Sequence, residues 1–210
     1  MAENLSGALL LAQAICWDES HGYNRNPGSR ELNPDTDCSY FIGYCLSQNG
    51  FNVNPNWYTG SMITDLQAYP GFTEYIWSTS FQWQNGDIAV YDEGGGAHGH
   101  AFFYSENVRG YLGTDGDTCD GSIGNLLRAR IEASNDRGHS QPGDQDNGFG
   151  AHSEVWVHAF SNPSSNHTWH VFRWQDSPTP PLTLEQQITI YSARRRKKQT
   201  YEGIRRKIFY

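Results

Sequence analysis

The sequence has little cysteine and methionine and lacks several widespread motifs. Its 210 residues include two methionines and four cysteines, and the cysteines form neither a CxxC pair nor a zinc-type spacing. No glycine loop of the Walker or Rossmann type is present. The longest apolar run, Ala8 to Cys16, is interrupted by Gln13 and is too short to span a membrane. We therefore expect neither a zinc ribbon, nor a nucleotide-binding fold, nor a membrane-spanning protein.

The amino terminus also lacks the basic region with which a secretory signal peptide begins. It reads Met-Ala-Glu-Asn, and no apolar h-region of the usual kind follows a positive charge. This predicts synthesis in a cytoplasm without export by that route.

Charge is distributed unevenly along the chain. The formal net charge is -8, yet residues 182–210 contain eight Lys or Arg and two Glu, a balance of +6 that leaves -14 for the rest. An acidic body repels phosphate and argues against nucleic-acid binding, whereas the tail suits polyanions or is simply solvated. The proline-rich stretch 177–181 predicts a stiff linker between a compact unit at 1–176 and this tail.

Hydrophobic spacing predicts helices first and strands afterwards. Helical periodicity covers three segments, Leu5–Trp17, Cys38–Gln48 and Thr59–Tyr69. Short runs with a period of two predict five strands, Asp87–Tyr91, His100–Ser105, Leu127–Ser134, Glu154–Phe160 and His170–Trp174. This order predicts an α+β fold with the amino-terminal helices packed on an antiparallel meander.

Cys38 lies where a thiol can become a nucleophile. Asp37 is a favourable N-cap, so Cys38 falls at the first turn of an amphipathic helix. The unpaired N–H groups and the helix dipole stabilise an anion there, and the same N–H groups can hold an oxyanion. The alternative is that Cys38 is a small buried core residue.

Histidines before a predicted strand supply candidate bases. His98 and His100 lie in the segment Gly-Ala-His-Gly-His-Ala-Phe-Phe-Tyr, and His100 begins the strand. A histidine at that place can face a helix terminus and form an ion pair with a thiol. The alternative is that both side chains are exposed to solvent or bind a stray metal.

Glu132 is the candidate for a group that orients the imidazole. It shares a predicted strand face with Arg128 and Arg130, while the opposite face carries Leu127, Ala129, Ile131 and Ala133. A carboxylate in this position can favour the charged imidazole. The competing interpretation is a cross-strand salt bridge with the two arginines.

A calcium loop is the one metal site that deserves weighing. The stretch Asp115–Ser122 contains several aspartates and glycines, but it has no bidentate Glu at the twelfth place of an EF-hand loop. Calcium remains an alternative for this loop, and we assign no metal ligand and no cofactor.

Trp17–Asn24 reads Trp-Asp-Glu-Ser-His-Gly-Tyr-Asn, and Pro34–Ile42 reads Pro-Asp-Thr-Asp-Cys-Ser-Tyr-Phe-Ile. These segments resemble the opening DDSHGYDQ…PDYDCSSLV of phage-type peptidoglycan amidohydrolases of the NlpC/P60–CHAP superfamily. The similarity continues, in order, through Tyr58–Met62, Gly86–Ala89, Gly99–Ala101, Glu132–Ser134, Pro142–Gln145 and Trp169–Arg173. The resemblance covers most of residues 9–174 and implies a papain-like fold, with helices packed on an antiparallel sheet or half-barrel.

The resemblance implies a catalytic role for Cys38 as nucleophile and for His100 as general base. The family's third position, usually a histidine before Ala-Ser, falls on Glu132, which departs from the pattern. Tyr23 matches a tyrosine that lines the catalytic cleft. Ser39 follows the nucleophile, where a backbone N–H can contact substrate, and Asp37 is assigned to the same substrate-binding side.

The implied activity is cleavage of a peptidoglycan amide bond, either as an N-acetylmuramoyl-L-alanine amidase or as a stem or bridge endopeptidase. The expected partner is the bacterial cell wall, reached from the host cytoplasm or from a virion. The basic tail is assigned to an anionic wall polymer or a virion protein. The alternatives are a non-catalytic wall-binding or virion structural module, and a thiol acyltransferase or deamidase on the same core.

Overall fold

The structure is a computed structural model that describes residues 3–17, 22–23, 35–94, 99–112, 123–134 and 154–175. Its helices in these ranges are α1 (Leu5–Cys16), α2 (Cys38–Ser47) and α3 (Thr59–Ala68). Its strands are β1 (Gly22–Tyr23), β2 (Asp35–Thr36), β3 (Phe72–Ile76), β4 (Ile88–Asp92), β5 (Gly99–Tyr111), β6 (Ile123–Ser134), β7 (Glu154–Ala159) and β8 (His170–Trp174). None of these helices is long and apolar enough to cross a membrane. The predicted α+β class is confirmed.

Six strands form an antiparallel sheet in the order β7-β6-β5-β4-β8-β3, and the two-residue strands β1 and β2 extend its β7 edge. The predicted meander holds from β4 to β7, but β8 departs from it and pairs with both β4 and β3. β3 was not predicted from the sequence. Its side chains are half-buried or exposed because it is an edge strand, so it lacks the alternation of a half-buried strand.

The sheet has a face covered by helices and an outer face. On the helix face, Phe103 and Ile131 pack with residues of the helices such as Phe41. On the outer face, Phe102 and Tyr104 belong to a separate aromatic cluster that contains no helix residue. Successive residues of a strand point to opposite faces, which explains why Phe102 and Phe103 are both fully buried.

Helix α2 is buried along most of its length. Asp37 caps it by accepting a 2.7 Å hydrogen bond from the backbone N–H of Tyr40. The residues buried along it are Cys38, Ser39, Tyr40, Phe41, Ile42, Gly43, Cys45 and Leu46. Gly43 allows a close approach, since a Cβ there would lie 2.9 Å from Pro55 Cα. The apolar positions that predicted this helix are all buried, and burial also extends to Ser39, Tyr40 and Gly43.

The alternation along β6 is interrupted next to Asn107, the only described non-glycine residue with a positive φ, 54°. Leu126 is 7% exposed and belongs to the helix-face core, whereas Leu127 is 80% exposed. Ala129 is again in that core. The prediction that Leu127 shares a face with Ala129 was wrong, because β5 bends at Asn107 and the facing stretch of β6 changes side.

The buried carboxylate of Asp87, just before β4, forms an ion pair with Arg173 on β8. The Asp87 carboxylate is 2.8 Å from Arg173 Nε and from Arg173 Nη2, and it also accepts a hydrogen bond from the backbone N–H of Gln84. Burial raises the pKa of Asp87, although the Arg173 guanidinium opposes this shift. The contact holds β8 in its place beside β4.

Two glycines with a positive φ allow a test of packing next to the sheet. Gly71 has a φ of 95° and a Cβ there would overlap the Trp174 ring, whereas Gly94 has a φ of 84° and open space around it. We expect Gly94→Ala to cost about 1–2 kcal/mol from backbone strain alone. Gly71→Ala should cost about 1–3 kcal/mol more because the ring must move. Urea unfolding of both variants measures the difference, and equal losses would contradict the predicted overlap.

Candidate active site

The structure brings three of the predicted residues together. The Cys38 side chain at the first turn of α2 lies beside the His100 imidazole near the start of β5, close enough for the sulfur to raise the pKa of His100. His100 Nε2 lies 3.0 Å from Glu132 Oε2 on β6. Because Nε2 faces the carboxylate, Nδ1 is the ring nitrogen that remains for the sulfur. The result is a continuous Cys–His–Glu array.

Neighbouring elements hold the imidazole at the end of the helix. β2 leads directly into α2 and is attached through β1 to the β7 edge of the sheet. Gly99 precedes His100, and a Cβ at Gly99 would overlap the Thr59 hydroxyl on α3. That hydroxyl donates a 2.8 Å hydrogen bond to Asp92. Glycine at this position therefore lets the start of β5 pass close to α3, and this close approach fixes the position of the neighbouring His100 imidazole.

Charge in the array is stabilised by its own members. Burial lowers the pKa of His100, but the Glu132 carboxylate and the Cys38 sulfur outweigh it and raise that pKa to about 9. Burial alone would raise the pKa of Glu132, which is fully buried. The charges and hydrogen bonds of His100 and His158 instead hold the pKa of Glu132 well below its usual range. At neutral pH the imidazole is therefore charged and faces an ionised carboxylate.

His158 on β7 is a site residue that the sequence analysis missed. Its Nε2 lies 3.1 Å from Glu132 Oε1, and its side chain is fully buried. It stacks on Trp156 with ring centroids 4.2 Å apart. The available signal was a histidine inside the apolar run of β7, but its contact with Glu132 depends on the β6–β7 register, which pairs Arg130 with His158.

Arg130 is only a secondary partner of Glu132. Its Nη1 lies 3.8 Å from Glu132 Oε2, farther than either histidine nitrogen. Its Nε and Nη2 donate to the Ser161 carbonyl at 3.0 and 2.6 Å. Arg128 is directed elsewhere, with its Nε donating to the Tyr104 hydroxyl. The geometry favours the imidazole-orienting interpretation of Glu132 over a simple salt bridge with the arginines.

Asp37 and Ser39 use their side chains to build the start of α2. Ser39 Oγ lies 2.9 Å from Asp37 Oδ1 and 2.7 Å from the Trp57 carbonyl, and Ser39 is buried. Asp37 Oδ1 also accepts the helix-capping bond. What Ser39 can offer a substrate is its backbone N–H, which at the first turn has no acceptor within the helix.

Tyr23 is placed through its backbone only. Its Cα pairs with that of Thr36, just before the Asp37 cap, so β1 runs beside the start of α2. The Tyr23 side chain, His98 and the stretch Asp115–Ser122, for which calcium binding was only an alternative, lie outside the described residues. Within the described residues, no group of three or more His, Cys, Asp or Glu is arranged to hold a metal ion.

The other described thiols differ from Cys38 in their surroundings. Cys16 and Cys45 are buried and form no disulfide. Burial raises the pKa of Cys45, which favours its neutral, unreactive thiol. Of these three cysteines, Cys38 is the one that lies beside a histidine whose pKa is raised.

An aromatic cluster shields one side of His100. The Trp169 ring meets the imidazole edge-on, with centroids 6.4 Å apart. Tyr91 contacts Trp169 at 4.5 Å and stacks on His167 at 4.2 Å. The His100 side chain is 19% exposed, so solvent reaches the dyad from a limited direction.

The His100 titration tests the charge arrangement. Because its folded-state pKa is raised, the imidazolium should persist through neutral pH and lose its proton near pH 9. Glu132→Gln removes the largest stabilising charge, so we expect the pKa of His100 to fall by about 1–3 pH units. Two-dimensional NMR of the imidazole nitrogens measures it. Glu93→Gln, which removes the carboxylate 3.0 Å from His167, is the matched control and should leave His100 unchanged. A His100 pKa near 9 in Glu132→Gln would contradict this account.

Comparison of the chain with protein-family models, with curated proteins and with solved structures finds no match. Functional assignment therefore depends on the geometry of the Cys38, His100 and Glu132 array and on the sequence resemblance.

Proposed function

We propose that the protein is a thiol hydrolase of bacterial peptidoglycan with a papain-like fold of the NlpC/P60–CHAP kind. Cys38 is the nucleophile, His100 is the general base and acid, and Glu132 orients the imidazole. The observation that carries the proposal is the array in which the thiol at the start of α2 lies beside an imidazole that is hydrogen-bonded to a buried carboxylate.

The buried charges favour catalysis over a purely structural role. Burying a carboxylate and an imidazolium costs several kcal/mol that mutual attraction offsets only with good geometry. Apolar side chains would fill the same space at lower cost, so a wall-binding module gains little from this arrangement. Strongly shifted pKa values around a thiol at a helix start are typical of active sites.

The proposed reaction proceeds in two half-reactions. The Cys38 thiolate attacks the amide carbonyl carbon, and the backbone N–H groups of Cys38 and Ser39 hold the oxyanion. The His100 imidazolium gives its proton to the departing amine as the C–N bond breaks. His100 then takes a proton from water, the resulting hydroxide attacks the thioester, and the thiolate leaves with release of the free acid.

Three features support peptidoglycan as the substrate. The segments around the array resemble wall amidohydrolases, and Cys38 and His100 fall on the positions of the family's nucleophile and general base. The chain carries a basic region at residues 182–210 that suits an anionic wall polymer or a virion protein. We propose that the enzyme is made in the host cytoplasm and acts on the cell wall from there or from a virion.

Digestion of purified peptidoglycan tests the activity. Wild-type protein should release new peptide or saccharide–peptide ends, and Cys38→Ala should release none because the nucleophile is absent. Cys45→Ala, which removes a buried thiol from the same helix, is the matched control and should retain activity apart from a small loss of stability. Mass spectrometry of the fragments identifies the bond, with cleavage at muramoyl-L-alanine or within the stem or bridge.

Fragments released equally by Cys38→Ala would exclude the thiol mechanism. If wild-type protein binds walls but releases nothing, the non-catalytic wall-binding or virion module becomes the better interpretation. If it releases ammonia or transfers an acyl group to an added amine instead, the site is that of a deamidase or acyltransferase.

A further inference from the structure

A cavity of about 390 Å³ lies on the outer face of the sheet, away from the helices. Its lining residues are Thr79, Phe81, Gln82, Trp83, Tyr104, Glu106, Arg128 and Asn162. None of them belongs to the Cys38 array. The volume is within the usual range of small-molecule sites, about 300–1,000 Å³. We call it the outer-face cavity.

A fixed polar group forms one wall of the outer-face cavity. The Tyr104 hydroxyl donates to Glu106 Oε1 at 3.0 Å and accepts from Arg128 Nε at 3.1 Å. The Arg128 guanidinium lies 4.5 Å from the Phe160 ring centroid, which restricts its position further. A guanidinium has five N–H donors and a carboxylate two oxygens. Most of the hydrogen-bonding capacity of this pair is therefore not used by the Tyr104 hydroxyl.

An aromatic group forms another wall. Trp83 stacks on Tyr104 with ring centroids 5.4 Å apart and meets Phe81 edge-on at 5.0 Å. Trp83 and Tyr104 are almost entirely buried, so these rings support the polar side chains from behind and leave the opening to polar groups.

The lining selects a class of ligand. The charges of Arg128 and Glu106 cancel. An anionic ligand would be repelled by the Glu106 carboxylate, and a cationic ligand would be repelled by the Arg128 guanidinium. Planar amide, carboxylate and guanidinium groups around one opening suit a ligand with adjacent hydroxyls. We propose that the outer-face cavity binds a neutral saccharide, with Arg128 and Glu106 hydrogen-bonding its hydroxyls.

Saccharide binding at the outer-face cavity would assist wall hydrolysis because of where the cavity lies. This part of the inference rests on the proposed function. His100 and Glu106 lie on the same strand, six residues apart and on the same face, which corresponds to roughly 20 Å at about 3.3 Å per residue. A glycan held at the outer-face cavity would extend toward the His100 end of β5 over the aromatic cluster that covers Phe102. The cavity would then anchor the saccharide strand while an attached peptide reaches Cys38.

NMR titration of the full chain with tri-N-acetylchitotriose tests the site. The Trp83 indole N–H resonance, identified by its loss in Trp83→Phe, should shift on addition of the sugar, and the Trp77 resonance should not. Arg128→Leu should weaken binding at least about tenfold because hydrogen bonds to a charged group are lost. Arg109→Leu, which removes an exposed arginine of β5 outside the cavity, is the matched control and should bind as wild type does.

Three results would overturn the saccharide site. They are the absence of saturable binding, equal binding by Arg128→Leu and wild type, and tighter binding of the zwitterion D-alanyl-D-alanine than of the sugar. Cys38→Ala should bind the sugar normally. A saccharide site in a protein that cuts no wall would leave this inference standing and remove the proposed function, so the two failures are distinguishable.

Discussion

The buried carboxylate of Glu132 is the constraint around which the site is organised. It has no exposure to solvent, and an ionised carboxylate in that environment must be met by donors and positive charge. Three adjacent strands supply them: His100 from β5, Arg130 from β6 itself and His158 from β7. The strand order β7-β6-β5 therefore places the partners of the Glu132 carboxylate on both sides of it, in addition to forming the hydrophobic core. The same order fixes the position of the His100 imidazole that faces Cys38.

Strand register is what keeps this carboxylate on the correct side. Phe103 pairs with Ile131 on the helix face, which turns Glu132 toward the outer face and toward His100. A slip of one residue would move the carboxylate into the apolar core and expose Ile131. The capped start of α2 must then meet the start of β5, and the close passage at Gly99 makes that approach possible. The imidazole and the carboxylate thus come from adjacent strands of the sheet, and the thiol comes from a helix that meets them there.

The sequence pattern predicted the features that depend on neighbouring residues along the chain. The Asp37 cap and its helix, and His100 at a strand start, were visible because capping and strand alternation are properties of neighbouring residues. The contact of His158 with Glu132 was not, since it exists only through pairing of β6 with β7. The edge strand Phe72–Ile76 was missed because partial burial removes the alternating pattern. The interruption at Asn107 was missed because its effect, the exposure of Leu127, appears on the facing strand β6 and not beside Asn107 in the sequence.

The departure of Glu132 from the resembled family and the unexpected presence of His158 explain each other. Where the resembled pattern usually has a histidine, Glu132 adds a buried negative charge beside His100. With His100 as its sole partner, this carboxylate would keep one buried oxygen without a donor or a positive charge, at a cost of several kcal/mol. His158 meets the second oxygen of Glu132 at 3.1 Å, and Arg130 lies near the first. Because either residue alone would be unfavourable in this sheet, Glu132 and His158 form a matched pair, and the carboxylate can hold His100 in its charged form.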